Sequence, residues 1–271
     1  MTSLSSLISE EDEYTDENFE HLTQKETKMV PNPQYMTLQP KLNWGMRTTV
    51  VEWLIVVWNY LNFNHQVLYL TVNIMDRFLS LEQVEPNQLP LIATASLVLA
   101  VKYEHHYPHH STRQIIEIIN LEPTPAVLRA ESYIFRRLGY DLNWPGPSIF
   151  LHRINKINIE DTNLIVLGHY LLEITLRDER FVSSLPSFTA TVAYCLAREM
   201  LGEWLWTPQH VQSSGYTGAE LEPFVQILRE TCQSPYSETV KRFSQRHAVL
   251  YAKVEKRLQW LKEFNSEEGE L

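Results

Sequence analysis

Four closely spaced histidines are the residues of this chain that most suggest chemistry. His105, His106, His109 and His110 surround a Tyr-Pro pair, and imidazoles at this density are able to bind zinc or copper. The proline interrupts the helical i, i+4 spacing that would bring two rings to one ion, and no cluster of cysteines or carboxylates completes a ligand shell. We therefore predict solvated loop histidines and no metal site. An enzyme that uses this cluster is an alternative that metal analysis of the purified protein would test.

Motifs of the common catalytic sites are missing from the sequence. There is no Gly-rich phosphate loop, no GxSxG nucleophile turn, and no HExxH or CxxC spacing. The sequence thus predicts a protein that is not an enzyme, needs no cofactor, and acts by presenting a surface to a partner.

Two opposite charges, Arg47 and Asp76, lie within otherwise apolar helical segments. Apolar residues recur at helical spacing around both of them and leave little polar surface. Such helices must be largely buried, and a buried arginine needs an anion because an unpaired charge in a protein interior costs several kcal/mol. We predict a structural ion pair between Arg47 and Asp76 that fixes how the two helices cross.

Two further charges, Lys102 and Glu131, lie at or within apolar helical patterns. Lys102 ends an apolar helix, where it could simply complement the negative end of the helix dipole. Glu131 follows about one helix later, where it could be a solvated helical charge. From the residues alone, these local roles compete with a role in binding a partner.

Helical periodicity extends over most of the chain. Only 8 glycines occur, and no strand-like alternation competes, so the sequence favours an all-α fold. Periodicity and helix-breaking residues predict two sets of five helices, near 46–62, 65–80, 88–104, 111–119 and 124–137, then near 148–157, 161–177, 184–201, 207–214 and 217–232.

The predicted domains follow from these two sets of helices. The acidic residues 1–12 are expected to be disordered, because they hold too little apolar surface to offset the entropy of ordering. The other predicted segments are an N-terminal helix with an extended lead-in (13–45), a first domain (46–143), a second domain (144–234) and a C-terminal helical extension (235–271).

One helix of each set shares a rhythm of small residues. A shift of 97 residues aligns four positions of one helix with four identical residues of the other. Ala93, Thr94, Leu99 and Ala100 align with Ala190, Thr191, Leu196 and Ala197. Central helices that need close neighbours on all sides would require such residues. The pattern predicts that the two domains are repeats.

Net charge, the length of apolar runs and the placement of the cysteines argue against several classes of protein. The formal net charge of −10, without a cluster of basic residues, argues against nucleic acid as a partner. No apolar run reaches membrane-spanning length, and the N-terminus lacks the pattern of a signal peptide, so no membrane contact is expected. Cys195 and Cys232 lie in apolar helical patterns, which suggests reduced, buried thiols in a cytosolic or nuclear protein.

Three sequence patterns resemble the cyclin box: MRxxxVxWL from Met46 to Leu54, LYLxVNxxDRFLS ending at Ser80, and LAxKYE ending at Glu104. GYDLNWPGPSIFLHRI (139–154) and SSGYTGAEL (213–221) are most similar to B-type cyclins of the fungal kind. The resemblance covers nearly the whole chain from about Tyr14. It implies two stacked five-helix cyclin domains with a helix at each end, in a protein of the nucleus and cytoplasm.

The resemblance also implies a partner, a cyclin-dependent kinase. In the family, a lysine and a glutamate at the positions of Lys102 and Glu131 bind the kinase around its mobile regulatory helix. The cyclin selects the active conformation of the kinase, which supplies the catalytic residues, ATP and magnesium. The residues to which the resemblance assigns kinase binding are Lys102, Tyr103, Glu104, Glu131, Tyr140, Leu142, Tyr14 and Phe19.

A second surface of the family captures substrates and inhibitors with Arg-x-Leu motifs. The matching positions here are Met46, Thr49, Val50, Trp53 and Leu89. Thr49 replaces a larger apolar residue, and Pro86 and Pro90 replace polar or basic ones, so the apolar floor is kept without its usual hydrogen bonds. Met46 and Trp53 are also explained by a purely structural role in the core.

The resemblance implies regulation of the cell cycle at G2/M. An alternative of another class is a double-cyclin-fold scaffold or transcription adaptor that binds peptides without a kinase. The retention of Lys102 and Glu131 favours the kinase partner, and the negative net charge disfavours DNA binding.

Overall fold

Helices form both halves of the chain, as the periodicity predicted. This computed structural model describes residues 16–104, 111–119, 124–158, 161–232 and 238–256, and no strand occurs within those ranges. The α-helices that we label are α1 (Asp16–Glu26), α2 (Trp44–Tyr60), α3 (His65–Leu79), α4 (Leu89–Glu104), α5 (Thr112–Ile119), α6 (Thr124–Arg137), α7 (Pro147–Asn155), α8 (Thr162–Thr175), α9 (Pro186–Leu201), α10 (Pro208–Ser214), α11 (Gly218–Cys232) and α12 (Glu238–Arg246). Residues 248–256 are helical as well.

Side-chain caps decide where several helices begin. Asn43 Oδ1 accepts a 2.9 Å hydrogen bond from the backbone N–H of Met46, so α2 starts at Trp44, two residues before the predicted start. Asn64 caps α3 in the same way through the N–H of Val67 at 3.0 Å. The caps satisfy backbone donors that would otherwise lack a partner at these helix ends.

The first domain is built around α4. This helix packs against α2, α3, α5 and α6, and every residue from Ile92 to Val101 is buried. Ala93 and Ala100 are fully buried, which lets the neighbouring helices approach closely.

The second domain is built in the same way around α9. This helix packs against α7, α8, α10 and α11. Ala190 and Ala197 are fully buried, as the matching alanines of α4 are. The shared rhythm of small residues therefore marks the central helix of each domain.

The segment before the first domain differs from the prediction. It was expected to be extended, but it contains two short 3-10 helices, Thr27–Met29 and Tyr35–Leu38. The second holds Tyr35 in the first core with no exposed surface, which explains why the backbone there folds into a turn.

Helix α1 packs on the second domain, and helix α12 packs on both domains. Glu26, at the end of α1, is buried, and its carboxylate accepts hydrogen bonds from the backbone N–H and the hydroxyl of Ser187 in α9, at 2.8 and 2.6 Å. At the other end of the chain, α12 packs on α2 and on α8.

Several predictions concern residues outside the described ranges. These are the disordered segment 1–12, Tyr14, and the four histidines of the 105–110 segment. Among the residues that are described, no helix has the length and apolar character needed to cross a membrane.

Candidate functional site

Lys102 and Glu131 form an ion pair on the surface of the first domain. Lys102 lies in the last turn of α4, and its Nζ donates to Oε1 of Glu131 in α6 at 2.6 Å. The lysine side chain keeps 45% of its surface exposed, whereas the glutamate keeps 13%. The pair therefore leaves the lysine cation accessible at the surface and holds the glutamate carboxylate in a fixed position.

The position of Glu131 follows from the periodicity of α6. Val127 and Ile134 are fully buried, and Glu131 lies four residues after one and three before the other, on the same face of the helix. A carboxylate on this core-facing stripe cannot be a freely solvated charge, because the C-terminal end of α4 covers it. Glu131 is therefore not a solvated helical charge, but one partner of an ion pair between α6 and α4.

Two exposed tyrosines lie close to the pair in sequence. Tyr103 follows Lys102, and Tyr140 lies in the turn after α6 with 64% of its surface exposed. Burial, followed by the carboxylates of Glu104 and Asp141, raises the pKa of Tyr103. Asp141 lies in the turn after α6, so its effect on the pKa of Tyr103 agrees with a position of that turn near the end of α4. Exposed aromatic rings beside a fixed charge are typical of protein-binding surfaces.

Two of the residues predicted to bind the kinase, Leu142 and Phe19, pack against other parts of this chain. Leu142 is only 5% exposed and belongs to the first core, so it packs beneath the surface and is not part of it. Phe19 packs edge to face on Phe150 with centroids 5.8 Å apart, and the guanidinium of Arg153 lies 3.9 Å from its ring centroid. The ring of Phe19 therefore contacts the second domain of this chain, and these contacts anchor α1 to that domain.

The outer face of α6 extends the surface in a way that the sequence analysis missed. Leu128 and Tyr133 are exposed and line a shallow depression with Arg129, Ser132 and Arg136. The guanidinium of Arg136 lies 5.6 Å from the ring centroid of Tyr133. The signal in the sequence was the presence of large apolar residues on the polar face of an amphipathic helix.

The predicted peptide groove corresponds to one face of α2. Met46, Thr49, Val50 and Trp53 are spaced as i, i+3, i+4 and i+7, so they share that face. Met46 and Thr49 are exposed, and Val50 and Trp53 are partly buried against the first core. Leu89, at the start of α4, is buried and belongs to the same core.

Arg47 and Asp76 are buried together and form two hydrogen bonds. Arg47 Nε donates to Asp76 Oδ1 at 2.8 Å, and its Nη2 donates to Oδ2 at 2.6 Å. Burial alone would lower the pKa of Arg47, but the Asp76 carboxylate outweighs this and raises it. The hydroxyl of Tyr35 donates to the same Oδ1 at 2.8 Å, and no sequence pattern had pointed to this third partner.

A second buried group of charges joins the domains. In α8, Glu173 pairs with Arg242 of α12, and its Oε1 lies 3.3 Å from Nε2 of His65 in α3. The rings of His65 and His169 stack with centroids 4.1 Å apart, and the hydroxyl of Tyr69 hydrogen-bonds Nδ1 of His169 at 3.0 Å. Burial, followed by the charges of His65 and His152, holds the pKa of His169 well below its usual value.

Metal binding has no candidate among the described residues. No group of three or more His, Cys, Asp or Glu side chains within those ranges is arranged to hold a metal ion. The cysteines Cys195 and Cys232 are free thiols, and each is partly buried.

The arrangement of helices and the sequence agree with known proteins. The family model described as "Cyclin, N-terminal domain" matches residues 17–143, and the one described as "Cyclin, C-terminal domain" matches residues 145–256. The chain belongs to the cyclin family. Similar in fold to this cyclin is the viral cyclin from herpesvirus saimiri, with a TM-score of 0.71 and 14% identity over 80% of this chain and 97% of that one.

Fungal mitotic cyclins are relatives of this cyclin. It is 36% identical to the G2/mitotic-specific cyclin cig1 of Schizosaccharomyces pombe over 80% of this chain and 52% of that protein. It is 39% identical to G2/mitotic-specific cyclin-4 of Candida albicans over 82% of this chain and 46% of that protein. The chain thus spans about half the length of the curated relatives it matches.

Proposed function

We propose that this cyclin is a non-catalytic regulatory subunit that binds and activates a cyclin-dependent serine/threonine protein kinase and controls cell-cycle progression at G2/M. The observation that carries the proposal is the Lys102–Glu131 pair, together with the exposed Tyr103 next to Lys102 in the chain and the exposed Tyr140 in the turn after α6. The stage of the cell cycle is inferred from the names of the G2/mitotic-specific relatives.

The surface is suited to a rigid contact. Glu131 is fixed by its bond to Lys102, while half of the lysine surface remains open to a partner. A partner that binds this surface need not order two long, flexible side chains, so less conformational entropy is lost on binding. Such a preformed surface favours the one conformation of a kinase that is complementary to it.

Activation would then occur by population shift. A kinase that exchanges between a broken and an assembled form of its own Lys–Glu ion pair is driven toward the assembled form by a protein that binds only that form. Catalytic residues, ATP and magnesium belong to the kinase in this mechanism.

The decisive experiment combines binding with activity. A purified cell-cycle cyclin-dependent kinase is titrated with this cyclin in a calorimeter, and phosphorylation of a short peptide is measured with and without the cyclin. We expect a 1:1 complex and peptide phosphorylation only in its presence. Binding without activation, or no binding, would favour the alternative of a double-cyclin-fold scaffold.

We also propose that the α2 face of Met46, Thr49, Val50 and Trp53, with Leu89, docks substrates or inhibitors that carry Arg-x-Leu motifs. The support is a stripe of apolar surface at helical spacing, with Met46 exposed and Trp53 partly exposed. Because Thr49 is smaller and polar, we expect weak binding that depends on Trp53.

Residence in both the nucleus and the cytoplasm belongs to the same proposal. The support is indirect: two free thiols, Cys195 and Cys232, agree with a reducing compartment. A fluorescent fusion followed through the cell cycle would test it.

A further inference from the structure

The turn that follows α6 has an unusual backbone. The N–H of Gly139 donates to the carbonyl of Arg136 and that of Tyr140 to the carbonyl of Phe135, both at 3.0 Å, which is the Schellman pattern of a helix end. Gly139 has φ +68°, as that pattern requires. Tyr140 also has a positive φ, +59°, although it is not a glycine.

The conformation of Tyr140 is sterically unfavourable for an L-residue with a large side chain. Such a residue persists only where the surrounding structure over-determines it, and it often marks a functional site. The ring of Tyr140 is not buried to compensate. It packs edge to face with Phe135, with centroids 5.1 Å apart, and leaves most of its surface exposed.

Arg77 holds this turn from the side of α3. Both terminal nitrogens of its guanidinium donate to the backbone carbonyl of Asp141, each at 3.2 Å. Asp141 Oδ1 in turn accepts from the backbone N–H of Asn143 at 3.1 Å. Arg77 belongs to α3, a helix of the first core, so its guanidinium connects Asp141, the residue after Tyr140, to this rigid helix.

We propose that Arg77 is a positioning residue for partner recognition, which holds the 139–143 turn so that the ring of Tyr140 is preformed for contact with the kinase. The inference rests on the proposed function and adds a residue that does not itself touch the kinase. Without this contact from Arg77, the turn would relax to backbone conformations with negative φ at Tyr140, and the ring would leave its place against Phe135.

A double-mutant cycle tests the coupling. Tyr140→Ala should weaken kinase binding about thirtyfold, as removal of an aromatic anchor typically does. Arg77→Met, which keeps the apolar stem, should weaken it about tenfold. The double variant should bind no more weakly than Tyr140→Ala, because Arg77 acts through Tyr140. Independent, multiplying effects, or no effect of Arg77→Met, would overturn the proposal.

A matched control separates positioning from loss of charge. Arg137→Met removes an arginine two residues from Gly139 that pairs with Glu82, and it should leave affinity within about twofold of wild type. Arg77→Lys keeps one donor and should restore part of the lost affinity, which also covers the case in which Arg77→Met folds poorly. An Arg137→Met variant that binds as weakly as Arg77→Met would contradict a role specific to Arg77.

Two measurements on the free cyclin complete the test. Hydrogen exchange at the amide of Tyr140 should be faster in Arg77→Met, since the turn is no longer held. Tyr140→Gly should unfold at a higher urea concentration than Tyr140→Ala, because glycine tolerates the positive φ. A wild-type cyclin that binds no kinase would refute the proposed function, whereas unchanged exchange in Arg77→Met would refute the positioning role alone.

Discussion

Arg47 of the first domain donates a 2.8 Å hydrogen bond from Nη1 to the backbone carbonyl of Leu176, which follows the last residue of α8 in the second domain. The same guanidinium holds Asp76 with its other two nitrogens. Next to it, the hydroxyl of Thr48 donates to the carbonyl of Arg177 at 3.1 Å. One buried arginine therefore joins the helices of the first domain and connects the two domains.

Arg47→Ala should act mainly through stability. It leaves Asp76 as a buried carboxylate whose remaining side-chain donor is Tyr35, and removing one partner of a buried ion pair costs about 3–5 kcal/mol. Urea unfolding measures the loss. Arg113→Ala, which breaks an exposed pair with Glu117 in α5, is the control and should leave the unfolding midpoint at its wild-type value. A wild-type unfolding midpoint for Arg47→Ala would show that the pair does not stabilise the fold.

The double variant Lys102→Ala, Glu131→Ala should separate binding from folding. Lys102 is half exposed, so loss of the pair should cost about 1 kcal/mol or less of unfolding free energy. Loss of charged interface contacts should weaken kinase binding by about 2–5 kcal/mol, measured by calorimetry. The matched control is Lys41→Ala, Glu85→Ala, an exposed pair with Nζ and Oε1 2.8 Å apart that joins the lead-in to the first domain. Equal affinities for the double variant and the wild type would reject the interface.

Trp53→Ala should remove binding of Arg-x-Leu peptides and leave activation of the kinase toward a short, motif-free peptide intact. The side chain is a partly exposed anchor on the α2 face, and loss of such an anchor typically costs about 2 kcal/mol of binding or more. Because Trp53 also packs on the first core, a thermal melt must accompany the assay. Thr49→Leu is the companion variant and should strengthen peptide binding. Peptide affinity that neither variant changes would place substrate selection elsewhere.

Stability should fall as pH falls below about 6.5, the usual pKa of histidine in an unfolded chain. The folded-state pKa of His169 is depressed, so the unfolded chain binds more protons between that value and 6.5, and acid favours unfolding. His210, whose pKa burial lowers to about 4, contributes with the same sign. Between the two pKa values of one group, the slope approaches about 1.4 kcal/mol per pH unit.

His169→Gln should reduce that slope, because glutamine does not titrate and its side-chain amide can still hydrogen-bond the hydroxyl of Tyr69. Urea unfolding of the variant and wild type from pH 7.5 to 5.5 gives the difference that belongs to His169. His21→Gln removes an exposed histidine of α1 and serves as the control. Identical pH dependence in His169→Gln and wild type would exclude the stacked histidines as a source of acid sensitivity.

Local patterns in the sequence determined most of the helices and the central position of two of them. Spacing of apolar residues reports which face of a helix is buried, and caps such as Asn43 act within one turn, so both can be read from neighbouring residues. The alanines shared by α4 and α9 marked the repeated domains for the same reason. The family motif supplied Lys102 and Glu131 as residues to examine.

Only the tertiary structure decided which distant groups meet. Arg47 and Leu176 are 129 residues apart in sequence, and the stacked pair His65 and His169 joins separate domains. Periodicity shows that a face is covered but not which element covers it. Leu142 was assigned to the kinase-binding surface by the resemblance alone, and the packing of the first domain places it in the core. The partners of Glu131 and the strained backbone of Tyr140 depend on how α3, α4 and α6 pack, and that packing is a property of the folded chain as a whole.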